Sequence, residues 1–260
     1  MASPRVTELL KHLAYRGCVL QSIRIGTFDS REIADEIDKS RSAVDRDIRI
    51  LKDSGYIHEH PGGYELTRFG EYALELYELA EPLGRAEQFI PYLPSRAPVT
   101  LLQGASIRQS GGTVPQRPIE HVEDLIRAAD QVKIIAPAVI PSLVDALSDR
   151  IQNESLTIDI IVNGDVLDEL WSTYSEELHS CLESETCILW QTDEELSFGL
   201  VIADDETVCL GVYDESMRLL GTITNSSEDT LKWALETFHQ HRDASDEVFL
   251  RGTTRQVEVI

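Results

Sequence analysis

The sequence predicts an α+β protein in two parts: a helical N-terminal part closed by a small β-hairpin, followed by an α/β sandwich. Three observations predict it. Apolar residues recur at three- and four-residue spacing through most of the first 80 positions. From Ile119 onward, helical stretches alternate with short runs rich in Val, Ile and Leu. The charge also changes between the two parts: residues 1–85 hold 12 Lys+Arg and 15 Asp+Glu, whereas residues 86–260 hold 11 and 31. Of the net charge of −23 on 260 residues, −20 therefore belongs to the second part. Pro82, Gly84, Pro91, Pro94 and Pro98, then Gly111-Gly112 and Pro115/Pro118, punctuate the join. These signals divide the chain into residues 1–83, a linker with connecting strands over 84–118, an α/β part over 119–245 and a tail over 246–260.

The elements of the first part follow in order. Val6, Leu9, Leu10, Leu13 and Ala14 predict a helix from Pro4 to Tyr15, ended by Gly17, with Val19–Ile25 as a connector. Asp29-Ser30-Arg31-Glu32 reads as a capping box opening a second helix with Ile33, Ala34 and Ile37 inward. Asp38-Lys39-Ser40 breaks it, and Ser40 caps a third helix that ends near Ser54-Gly55. At about 100° per residue, Val44, Ile48 and Leu51 share one arc, with Ser42, Asp45, Arg46, Arg49 and Lys52 opposite. Tyr56–His60 and Tyr64–Leu66 flank Pro61-Gly62-Gly63 as a hairpin. Thr67 opens a fourth helix carrying Phe69, Tyr72, Ala73, Leu76, Tyr77 and Ala80.

In the second part, Val122, Leu125, Ile126 and Ala129 mark a helix, Val132–Ala136 a strand, Pro141–Ile151 a helix and Leu156–Val162 a strand. Asn163-Gly164-Asp165 caps a helix with Leu167, Leu170, Trp171, Tyr174 and Leu178. Strands follow at 187–190, 197–202, 208–213 and 219–224, with Asp204-Asp205 and Asp214-Glu215 as turns. Ser227 or Asp229 caps a last helix, and the tail after Ala244 either pairs as an edge strand or stays loose.

Composition excludes several classes. With 42% hydrophobic and 27% charged residues, the chain is not a disordered polyelectrolyte. No apolar run reaches the ~18 residues of a membrane span, and MASPRVTELL lacks a signal-peptide core, so a soluble, cytoplasmic protein is expected. Cys18, Cys181, Cys187 and Cys209 form no CxxC pair and are expected as core thiols ahead of a metal or redox pair. Only five of the 23 basic residues are lysine. Such acid-rich, lysine-poor composition resembles that of salt-in halophiles, where a Debye length of about 3 Å at molar salt screens self-repulsion.

Helix, helix–turn–helix, hairpin and helix stand in the winged helix–turn–helix order from Pro4 to Ala80, and SREIADEIDKSRSAVDRDIRILKDSGYI resembles that family's scaffold helix, turn, recognition helix and approach to the wing. The resemblance implies binding to double-stranded DNA at a promoter operator, the third helix entering the major groove. Carried onto this chain, the DNA-binding candidates are Ser40, Arg41, Ser42, Arg46, Arg49 and Lys52 on that helix, with His60, Gly62 and Gly63 at the wing. Arg41 or Arg46 suits bidentate contact with guanine, and the serines suit phosphate. The competing reading of Arg46 and Arg49 is a solvated face paired with Asp45 or Asp53, and that of His58 and His60 is wing solvation rather than a metal site. Asp45 departs from a basic surface; it either repels phosphate or accepts from cytosine.

No GxGxxG, P-loop, GxSxG or HExxH occurs in the second part, and catalytic and metal sites are expected to be none. Trp171, Trp190 and Trp233 are expected in the core, and Asp204-Asp205 as a turn rather than a metal pair. PSRAPVTLLQGASIRQ, IEHVEDLIRAADQVKIIAPAVIP and the stretch Leu196–Phe238 resemble the effector domain of the archaeal FilR-type family, named after a methanogenesis regulator. That family is distantly similar to the phospholipase-D-like effector domain of TrmB-type sugar-responsive regulators. The HxKxxxxD element of active phospholipase-D enzymes is missing, since His239-Gln240-His241-Arg242-Asp243 does not fit it. The resemblance therefore implies a catalytically inactive effector domain that senses a small molecule or dimerises. The whole chain reads as a dimeric transcriptional regulator of a halophilic archaeon, without cofactor or enzymatic activity. The alternatives are a winged-helix protein-interaction module and, more remotely, a diverged phosphodiesterase. The Tyr72/Leu76/Leu79/Leu83 stripe of the fourth helix is a candidate homodimer contact, packing on the C-terminal part being its rival.

Overall fold

The computed structural model describes residues 4–26, 29–111, 116–153, 156–250 and 257–259. Gly112 and Pro115 of the expected break, and residues 251–256 and 260 of the expected tail, lie outside the described residues. The chain divides into two compact units, Met1–Gly84 and Arg85–Ile260.

The first unit opens with α1 (Pro4–Arg24), which runs through the position expected to end it. A Cβ at Gly17 would lie 2.2 Å from Tyr77 Cδ2, so the glycine admits an aromatic ring against the helix backbone and is no stop signal. The expected connector is instead the second half of α1, carrying Val19, Leu20 and Ile23 into the core. α2 (Ser30–Glu36) is capped by Asp29, whose carboxylate accepts from Arg31 N at 2.7 Å. Asp38 takes the left-handed φ of 51° that turns the chain toward α3 (Arg41–Asp53). There Ser40 Oγ accepts from Ala43 N at 3.3 Å, and Val44, Ile48 and Leu51 are buried.

Strands β1 (Ile57–His60) and β2 (Gly63–Leu66) pair antiparallel from Ile57↔Leu66 to His60↔Gly63. Thr67 then starts α4 (Arg68–Arg85), its Oγ1 accepting from Gly70 N at 3.0 Å while donating to Gly55 O at 2.7 Å. Tyr56 O, which accepts from Thr67 N at 2.9 Å, sits where a Cβ on Gly70 would have to be, 2.0 Å away. Backbone on both sides leaves no flexible group to yield. Gly70→Ala is therefore expected to destabilise this unit by about 1–3 kcal/mol in a denaturant melt, and an unchanged midpoint would contradict the contact.

The second unit holds a mixed nine-stranded sheet among the described residues. Its members are β3 (Ser106–Gln109), β4 (Gln131–Ala136), β5 (Thr157–Asn163), β6 (Cys187–Thr192), β7 (Phe198–Ala203), β8 (Thr207–Tyr213), β9 (Leu219–Asn225), β10 (Ser245–Leu250) and β11 (Val257–Val259), in the order β11-β10-β6-β5-β4-β7-β8-β9-β3. β4, β5 and β6 run parallel and the remaining pairs antiparallel. One face is covered by α5 (Arg117–Ala128), α6 (Pro141–Gln152), α7 (Gly164–Thr173) and α8 (Ser175–Glu183). The other is covered by α9 (Glu228–Asp243) and by Phe89, Leu101 and Leu102 from the segment after α4. These layers are the α/β sandwich predicted from the alternating pattern.

Two details differ from the sequence reading. One helix expected after Asn163 is two, broken at Tyr174 (φ −123°, ψ 40°). The 84–118 segment, expected as a linker with connecting strands, supplies edge strand β3 and is tied down by Asn225, whose side-chain amide donates to the carbonyls of Thr100, Leu101 and Gln103. Cys181 and Cys187, expected as core thiols, are joined by a disulfide, because the turn from α8 into β6 brings their Cα atoms to 5.4 Å. Cys18 and Cys209 are free. Asp204 and Asp205 do form a turn: Asp204 Oδ1 accepts from Asp130 N and Gln131 N, and Asp205 pairs with Lys133 at 2.7 Å.

His121 of α5 shares a hydrogen bond with Thr224 Oγ1 at 3.0 Å. Its pKa is held below 6.5, first by burial and then by the nearby Arg108 charge. Unfolding releases that constraint, so the unfolded chain binds the proton more readily. The stability contributed by neutral His121 is complete above pH 6.5 and is lost as pH falls through that value. Melting scans from pH 7.5 to 5.5 are expected to show a decline that His121→Gln flattens; an identical decline in both proteins would contradict it.

Candidate nucleic-acid interface

The candidate surface is the outer face of α3 with the β1–β2 turn. Its placement depends on a charge that periodicity alone did not assign. Asp47 lies one turn from Val44 and beside Ile48, and it is 5% exposed. Its carboxylate sits between Arg16 of α1 (Nε–Oδ1 3.1 Å, off hydrogen-bond angle) and Lys39 of the α2–α3 turn (Nζ–Oδ2 3.6 Å). Lys39 Nζ also donates to Tyr15 O at 3.1 Å. The turn and α3 are thus bolted to α1 through an almost buried ion cluster. The signal was present in the sequence as a carboxylate bordering the apolar arc of a helix, where a buried charge is tolerated only when paired.

The predicted residues divide by what holds them. Ser40 is the cap of α3, and its Oγ lies 3.3 Å from Ser42 Oγ at the exposed N-terminal end. The first amides of α3 also point outward there, an arrangement suited to an anion. Arg41 Nε is 4.0 Å from Asp45 Oδ2, one turn on, an exposed, loose ion pair that leaves both side chains largely in solvent. Arg46 and Arg49 are exposed and make no ion pair or hydrogen bond among the described residues. Lys52 differs: its ammonium is engaged by Glu59 of β1, which raises the lysine pKa and lowers that of the glutamate through their hydrogen bond and mutual charge. Lys52 thereby ties the C-terminal end of α3 to the hairpin. At the hairpin tip, His60 Nδ1 accepts from Gly62 N at 3.0 Å, and Gly63 adopts φ 132°, which a side chain would strain. His58 faces Glu65 across the ladder at 3.4 Å. Among the described residues no group of three or more His, Cys, Asp or Glu is arranged to hold a metal ion.

A capped, amphipathic helix with two uncommitted guanidinium groups, followed by a glycine-tipped hairpin, forms a winged helix–turn–helix unit, and an α/β unit follows it in the chain. Residues 115–244 match the family described as the methanogenesis regulatory protein FilR1, middle domain, and the chain belongs to that family. Residues 5–88 match the HVO_A0261 N-terminal domain. Among solved structures, TrmBL2, an archaeal chromatin protein, is similar at 14% identity with a TM-score of 0.44, covering 94% of this chain and 99% of that one. Nuc, a phospholipase D family member from Salmonella typhimurium, is similar at 12% identity and TM-score 0.42, covering 56% of this chain and 97% of that one. NucT from Helicobacter pylori is similar at 12% identity and TM-score 0.42, over 54% and 96% of the two chains. No curated protein matches the chain. No helix among the described residues is long and apolar enough to cross a membrane.

Proposed function

We propose that this regulator binds double-stranded promoter DNA sequence-specifically through α3 and the β1–β2 wing, as a homodimer in the cytoplasm of a halophilic archaeon, and senses a small molecule through its α/β unit. The observation that carries the reading is the pair of exposed, uncommitted arginines, Arg46 and Arg49, on a helix whose opposite face and preceding turn are rigidly anchored. Ser40 and Ser42 position the N-terminal end of α3 on phosphate, while Arg41 or Arg46 reads guanine. Lys52 supports the wing, and His60, Gly62 and Gly63 approach the adjacent backbone. Tyr72, Leu76, Leu79 and Leu83 present an exposed apolar stripe on α4 that supports dimerisation. A dimer reads two half-sites about one or more helical turns apart.

The net charge of −23 accords with this reading in molar salt. There counterion release contributes little, and affinity rests on hydrogen bonds and shape. Family membership and the lack of an HxKxxxxD element support a regulator without enzymatic activity. Selection of genomic fragments by the full chain in 2 M KCl tests the function. The expected result is enrichment of a short two-fold symmetric sequence upstream of genes; recovery of random fragments would contradict it.

A further inference from the structure

The second unit holds a partly open apolar cavity of about 120 Å³ between the sheet and helices α6, α7 and α8. Its floor is one register row across the sheet: Val201, Ile134, Ile160 and Leu189 on β7, β4, β5 and β6. Leu147 of α6 and Leu178 of α8 line it from the helical side. Two polar side chains border it, Ser148 and Glu177. The Ser148 hydroxyl already accepts from Gln152 Nε2 at 3.2 Å. A second cavity of about 60 Å³ shares Ile134, Ala136 and Leu143 with the first.

We propose that this cavity is the effector site of the α/β unit and that its ligand is a small uncharged hydrophobic molecule, about one aromatic ring or a branched hydrocarbon in size. This rests on the sensing reading above and gives it a ligand class. Apolar cavities of roughly 150 Å³ stay dry and take benzene, since a buried water needs two to four polar partners. The lining here offers too few. A sugar or other polyol would bring several hydroxyls into a wall without partners for them. A carboxylate or phosphate would meet no cation in the lining and would face Glu177. The site therefore departs from the sugar class that resemblance to TrmB-type regulators suggests. Filling the space between the sheet and α6–α8 favours the conformer in which those helices are packed, which is how a ligand without polar handles can bias a regulator.

Toluene and maltose, titrated into the full chain in 2 M KCl with methyl resonances observed by NMR, test the proposal. The expected result is saturable shifts with toluene, below its aqueous solubility, confined to methyls of Ile134, Val201, Leu147 and their neighbours, and none with maltose. Leu170→Phe, which reduces the cavity, weakens toluene binding at least tenfold, and Leu147→Ala, which enlarges it, admits isobutylbenzene. Absence of saturable toluene shifts in the wild-type protein overturns the site, and maltose shifts at the same methyls overturn the ligand class. Operator affinity measured in parallel separates the two readings. Toluene binding with unchanged operator affinity upholds the site and overturns sensing, whereas a toluene-linked change of fivefold or more upholds both.

Discussion

Arg46→Ala/Arg49→Ala is expected to bind its operator about 100-fold or more weakly than the wild-type chain, at an unchanged melting temperature. A well-formed bidentate arginine–base contact by Arg46 discriminates by about 1–3 kcal/mol, and a charge-assisted hydrogen bond from Arg49 contributes about 1.5–3 kcal/mol, so losing both reaches that factor. The fold stands apart from the loss, because both side chains are exposed and make no ion pair or hydrogen bond among the described residues. Arg41→Ala removes the partner of Asp45 as well and is a less clean test. Fluorescence anisotropy with the selected operator, beside calorimetric melting, makes the measurement. Retained affinity would assign α3 to a protein partner, the chief alternative for this unit. Loss of affinity together with a lowered melting temperature would show that the arginines act through the fold.

Asp47→Ala acts on stability. Removing this carboxylate leaves Arg16 and Lys39 facing each other in a largely buried site, without the charge that holds them. Breaking a buried pair in this way costs about 3–5 kcal/mol, and the partly solvated Lys39 places the expected value near 3. In a unit of this size that lowers the melting temperature by about 15 °C, since 1 kcal/mol corresponds to about 4–8 °C. Operator affinity falls with it, because the turn that aims α3 loses its anchor. A drop of less than about 3 °C in thermal unfolding followed by circular dichroism would contradict the account of the cluster.

Sequence legibility varied with the range of the interactions. α3 was readable because its capping serine and its Val44/Ile48/Leu51 period are local, and the hairpin because Pro61-Gly62-Gly63 is a local turn signal. α1 was misread at Gly17, where the residue that explains the glycine, Tyr77, lies 60 positions away. The Asp47–Arg16–Lys39 cluster likewise joins three elements, and only the charge bordering an apolar arc hinted at it. In the second unit each central strand announced itself as a run of Val, Ile and Leu. Edge strand β3 did not, because Ser106-Ile107-Arg108-Gln109 carries a single large apolar residue and gains its partners from β9. The Cys181–Cys187 bond needed the α8–β6 turn to become visible. Of the candidate interface, the residue types were legible. Which of them was already committed, as Lys52 is to Glu59, required the folded hairpin and helix.

The charge distribution constrains how α3 can read DNA. A unit carrying −19 (12 Lys+Arg against 31 Asp+Glu over residues 85–260) opposes DNA at low ionic strength, and the near-neutral reader lacks the basic surplus by which most DNA-binding domains gain affinity. If α3 reads bases, specificity must survive molar salt. The direct measurement is the ratio of binding constants for the selected operator and a scrambled duplex of the same composition, at 0.5, 1 and 2 M KCl. The expected ratio is about 10³ or more and persists to 2 M. A ratio near one at every salt concentration would contradict it.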